Sequence, residues 1–205
     1  MTELRQALAE INAIRSQVAR GTQFRGYGPG STAFTGLLAL AVAGSQAAWF
    51  KEAAHAPGVF LRTWLTVAAV AVLLAALEMI VRTRRVHRNF AGEMIHAAAE
   101  QFLPALVVGM LLTAVLMRTA PGDAWMLPGL WQILFCLGVF ASCRFLPKQM
   151  FAVGVWYLVT GLTCLMIGGA DRPLSPWAMG LPFGVGQLMV AAVLQFGFED
   201  HLAEK

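Results

Sequence analysis

Long apolar runs separated by short polar connections dominate the chain. Six of them, at about 32–50, 59–81, 102–117, 125–143, 150–170 and 177–198, are candidates to cross the roughly 30 Å hydrocarbon core of a bilayer as helices. The runs are continuously apolar, whereas membrane β-strands alternate apolar and polar residues, so the pattern predicts helices rather than a barrel. The third run, "FLPALVVGMLLTAVLM", is the shortest. Pro104 falls in its first turn, where proline is tolerated. The same run also reads as the second half of a longer helix that begins near Gly92.

Two polar segments carry a helical pattern of their own. In residues 2–20, Leu4, Leu8, Ile11, Ile14 and Val18 recur on one face behind a candidate N-cap, Thr2. This predicts an amphipathic helix, too short to count as a coiled coil. It can lie on a membrane surface, dock on the chain's own loops or join a partner. A Gly/Pro-rich hinge follows, "RGTQFRGYGPGST", in which Ser31 and Thr32 are placed to cap the first span. The second segment, about 86–101, contains "GEMIHAAAE". Its polar residues (Asn89, Glu93, His96 and Glu100) share one face and Ala91, Ile95, Ala98 and Phe102 the other, which predicts an interfacial helix.

Composition strengthens this picture. Hydrophobic residues make up 58% of the 205 and charged residues only 13%, about half the charge of a soluble domain. The organisation expected is an all-α, polytopic membrane bundle of six transmembrane helices with two cytoplasmic amphipathic helices. Residues 1–31 form the first of these helices with its hinge, 32–198 the bundle and 199–205 a tail. "AVAGSQA" resembles a signal-peptidase site behind an apolar run. The charged segment of some thirty residues ahead of it exceeds a usual n-region, so the first span reads as uncleaved.

Charge adds orientation. Arg5, Arg15, Arg20, Arg25, Arg82, Arg84, Arg85, Arg88, Arg144, Lys148 and Lys205 fall on one side of the six-span arrangement, against Lys51, Arg62, Arg118 and Arg172 on the other. By the positive-inside rule both termini are cytoplasmic, in a bacterial-type inner membrane. Topology accounts for the net charge of +4, and no nucleic-acid partner is expected. Trp49, Trp64, Trp125 and Trp177 lie near the outer span ends and read as half of an aromatic belt, with Trp131 and Trp156 packed deeper.

Candidate chemistry is sparse. Glu93, His96 and Glu100 follow the Glu-x-x-His spacing of carboxylate metal sites in bundles. Such a site needs matching ligands from facing helices, and the only other Glu-x-x-His, Glu52 to His55, falls on the opposite face. These residues read first as a solvated face, and after that as a metal, proton or catalytic site. Cys136, Cys143 and Cys164 lie within spans without a C-x-x-C, so neither a zinc ribbon nor a disulfide framework is expected. No cofactor is expected, because no histidine or lysine lies within a span to hold haem or retinal. Glu78, one turn from the end of its span, reads as half of an ion pair with Arg82 at i+4.

Arg25 in the hinge, with Arg84, Arg85 and Arg88, is placed to meet anionic lipid headgroups. Within the spans, Gln46, Gln132, Gln187 and Gln195 need hydrogen-bond partners. They either bond between helices or line a site for a small neutral ligand. Gln132 and Gln187 follow similar "LPGLWQ" and "LPFGVGQ" stretches, a faint hint that spans three–four and five–six repeat one hairpin. Gly180 and Gly184 have the small-xxx-small spacing, which suits packing within the monomer or dimerisation.

Two functional readings of different class follow. In the first, a non-catalytic bundle binds or passes a small neutral or lipid-like molecule. In the second, a membrane regulatory subunit recruits a partner, either a second copy or another protein, through residues 2–20. A membrane enzyme using Glu93, His96 and Glu100 comes third.

Overall fold

The structure, a computed structural model, describes the backbone of residues 28–49, 57–86, 91–143, 147–169 and 174–203. Side chains are described at these positions except 79, 82–102 and 197–203. The amphipathic helix expected at 2–20 lies outside the described residues, as do Arg25, Arg88 and the side chains of Arg84, Arg85, Glu93, His96 and Glu100.

The described residues form six long helices joined by short connections, with no strand. In chain order they are α1 (Pro29–Trp49), α2 (Pro57–Val86), α3 (Ala91–Thr119), α4 (Leu127–Ser142), α5 (Met150–Ile167) and α6 (Trp177–Ala203). A short 3-10 helix, Pro121–Met126, turns the chain between α3 and α4. Five stretches, within α1, α2, the 3-10 helix with α4, α5 and α6, are long and apolar enough to cross a membrane; Leu103–Thr119 of α3 is a shorter apolar helix.

The structure bears on two sequence expectations. Of the two readings of the third run, the structure shows the longer helix: 91–101 runs without a break into the third span, with Pro104 inside α3. "AGEMIHAAAEQF" is rich in helix formers and offers no stop. Pro104 removes only one backbone donor, within a turn that continues on both sides. The other concerns α1 and is corrected: the helix begins at Pro29, so Ser31 and Thr32 stand inside its first turn rather than ahead of it. The Thr32 hydroxyl donates to the Gly28 carbonyl at 2.9 Å. The Ser31 hydroxyl lies 3.3 Å from the same carbonyl and also reaches across to α2, where it donates to the carboxylate of Glu78. A carboxylate beside the first turn of α1 also sits favourably against the positive end of that helix.

Each helix contacts its neighbours in sequence, and α1 closes the ring against α6. The closest pairs are α1 with α6 and α4 with α5, and glycine is the reason. A methyl group on Gly36 would stand 2.8 Å from the Gly184 carbonyl oxygen, and one on Gly129 would stand 2.7 Å from that of Gly161. Gly180 faces Ala43 and the Ala39 carbonyl in the same way. Without β-carbons these backbones approach until their atoms touch, which multiplies dispersion contacts where lipid offers no hydrophobic driving force. The Gly180-x-x-x-Gly184 spacing is therefore used within the monomer.

At the centre, Phe135 of α4, Tyr157 of α5 and Phe183 of α6 meet, with ring centroids 4.7 to 5.6 Å apart. The outlying helices are α2 and α3. Among their described side chains only Phe60, Trp64 and Thr113 are buried, and consecutive residues such as 106–108 on α3 are exposed. Phe60 and Trp64 hold the first third of α2 against α1 and the start of α6.

Candidate functional site

The two ends of the bundle differ chemically. At one end α1, α3 and α5 finish and α2, α4 and α6 begin; we call it the Trp49 end. The other carries Glu78. Among described residues the charged side chains keep to exposed or half-buried positions: Arg62, Arg118 and Lys148 are exposed, and Glu78 and Asp123 half-buried. The interior polar groups are neutral: glutamine, threonine, serine, tyrosine and indole.

Gln132, one turn into α4, is fully buried. Its amide nitrogen donates to the Ala178 carbonyl of α6 at 2.8 Å. That carbonyl is the one Pro182 leaves without its usual helical partner, because proline has no N–H to give to the residue four earlier. The Cys164 thiol approaches the same oxygen at 3.7 Å. Trp156 donates to the carbonyl of Pro182 itself at 3.0 Å. Side chains of α4 and α5 thus close the gap that proline opens in α6, the condition for proline within an apolar bundle. The carbonyl oxygen of the Gln132 amide has no partner.

The other glutamines fall in three settings. Gln46, buried on α1 three residues before its end, has an unpartnered carbonyl oxygen. Gln187 is half-buried on α6, its β-carbon against Gly36. It faces the hydroxyl of Tyr157, a fully buried group with no partner of acceptable geometry. Gln195 is exposed. The four do not line one surface: Gln46 and Gln132 belong to the Trp49 end, Gln187 to the middle and Gln195 to the far side.

Indoles complete the Trp49 end, and here the aromatic-belt expectation divides. Trp49 and Trp177 are exposed at 79% and 44%, as belt residues should be. Trp64 is only 2% exposed and belongs to a buried cluster with Ala39, Ala43, Phe60, Leu174 and Met179. Trp125 packs against the same cluster and lies under Gly168. The N–H groups of Trp64 and Trp125 are buried and unpartnered. Trp131, by contrast, donates to Thr113 at 2.9 Å. The Trp49 end therefore holds four unused neutral hydrogen-bonding atoms, two donors and two acceptors, and the two donors belong to or pack against one apolar cluster.

Sequence reasoning placed Trp64 and Trp125 by depth alone and did not single out Tyr157. The available signals were Phe60 at i−4 from Trp64, which puts two large rings on one helical face, and a lone phenol within an apolar run. Among described residues no group of three or more His, Cys, Asp or Glu comes together to hold a metal ion. Cys136, Cys143 and Cys164 are free thiols. Comparison of the chain with protein-family models, curated proteins and solved structures finds no match, so the functional reading rests on the chain's own geometry.

Proposed function

We propose that this chain is a polytopic inner-membrane protein whose six helices all cross the bilayer, and whose bundle binds or passes a small neutral or lipid-like molecule. The basic residues assign the Trp49 end to the outer face and both termini to the cytoplasm. The observation that carries the reading is the buried Gln132, whose carbonyl oxygen has no partner in an interior without charged side chains among the described residues. A buried polar atom left unsatisfied costs about 1–3 kcal/mol, and such atoms are few in native proteins. A bound neutral molecule relieves that cost, whereas an ion would find no opposite charge there.

The test is permeation and retention. Proteoliposomes holding the full chain are subjected to osmotic shock with glycerol, acetamide or sodium chloride, and detergent-purified protein is examined by native mass spectrometry. We expect faster equilibration of an uncharged solute than in empty vesicles, or a retained uncharged molecule, with sodium chloride unchanged. Equal rates for all three with no retained mass would remove the reading.

A further inference from the structure

We infer that the Trp49 end of the bundle is a binding site built around the indole N–H groups of Trp64 and Trp125 and the side-chain carbonyl of Gln46. Its ligand is an uncharged molecule that carries both an accepting oxygen and a donating O–H or N–H group. The inference rests on the ligand-binding reading above and adds where the ligand sits and which groups recognise it.

Three observations lead there. Trp64 and Trp125 come from separate elements, α2 and the 3-10 helix, yet both pack on one buried cluster. Gln46 follows Ala39 and Ala43 at i+7 and i+3, so it continues the face of α1 that builds that cluster. The two indole N–H groups and the side-chain carbonyl oxygen of Gln46 are buried and lack partners. Buried indole N–H groups ordinarily find an acceptor, and two others in this bundle do: Trp131 on Thr113 and Trp156 on the Pro182 carbonyl. Apart from the Tyr157 hydroxyl in the middle of the bundle, the unmet groups among the described residues thus gather at one end of the fold.

Their chemistry defines the ligand. An indole N–H can only donate and an amide oxygen can only accept, so a complementary molecule must do both. The surroundings (Phe60, Leu174, Met179 and, half-buried, Trp131 and Phe183) are apolar and aromatic. A mainly apolar lining with a few placed polar groups is the usual make-up of a small-molecule site. The three recognition groups are themselves neutral, which suits an uncharged ligand. Hydroxyl and amide compounds share the required chemistry, and the experiment separates them.

The full chain, labelled with nitrogen-15 in its indoles, is titrated in detergent with glycerol in one arm and acetamide in the other. The indole N–H signals are assigned from single Trp→Phe variants. Movement of the Trp64 and Trp125 signals with one or both probes, while those of Trp131 and Trp156 stay fixed, is the expected result. The arm that responds identifies hydroxyl or amide recognition. Gln46→Leu should weaken the response about fivefold, the loss of one neutral hydrogen bond, and leave Trp131 and Trp156 in place as evidence of a folded bundle. Silence of Trp64 and Trp125 in both arms, as when the site holds water only, overturns the inference. If vesicles still pass or retain a neutral molecule in that case, the broader reading stands and the ligand sits elsewhere. Uniform movement of all indoles also overturns it, because a solvent effect would then explain the shifts.

Discussion

Glycine carries the tightest constraints at the scale of single residues. Gly36→Ala would bring a methyl group 2.8 Å from the Gly184 carbonyl oxygen and 3.0 Å from the β-carbon of Gln187. Gly129→Ala would bring one 2.7 Å from both the Gly161 oxygen and Leu165. Backbone cannot yield by rotating a bond, so each change should cost about 1–3 kcal/mol through helix separation. Gly44 has open space around a methyl group, and Gly44→Ala should be neutral or stabilise by about 0.5–1 kcal/mol through helix propensity. Thermal unfolding in detergent measures all three, and an equal loss at Gly44 would show that the seams are not what glycine serves. The spacing of Gly180 and Gly184 was legible in the sequence. The opposition of Gly129 and Gly161 was not, because it depends on how far α4 and α5 slide past one another, which local pattern does not encode.

For the helices, the most informative element is α6. Pro182 opens its hydrogen-bond ladder and Gln132 closes it from α4. The two residues should therefore be energetically coupled. Gln132→Leu should destabilise by about 1 kcal/mol. In a Pro182→Ala background, where residue 182 regains its N–H, the same change should cost clearly less. A double-mutant cycle with no coupling energy would contradict the assignment. A second cross-link joins α1 to α2 through Ser31 and Glu78. Replacing Glu78 by leucine should loosen α2, which has few other buried contacts, whereas Glu78→Gln keeps an acceptor and should restore most of the loss; protease sensitivity of the α2 end reads both. Hydropathy located the helices because each span is long and continuously apolar. It left open whether 91–101 joins α3, since an amphipathic stretch and a membrane helix share one backbone geometry.

On the scale of the whole molecule, class was legible from composition, whereas the candidate site was legible only in part. Gln46 and Gln132 stood out because an amide within an apolar run must find partners. Trp64 and Trp125 did not, because an indole near a span end suits either the lipid interface or the interior, and only packing decides. The assignment of the Trp49 end to the outer face rests on the placement of eleven basic residues against four. That topology is the claim on which the outward-facing site depends. Its direct test uses single cysteines at Ala54 and Ala203, introduced after Cys136, Cys143 and Cys164 are replaced, and a membrane-impermeant maleimide applied to intact cells and to inverted vesicles. Labelling of the cysteine at 54 in cells and of that at 203 only in inverted vesicles is the predicted result; labelling of both from one side would contradict the six-span arrangement.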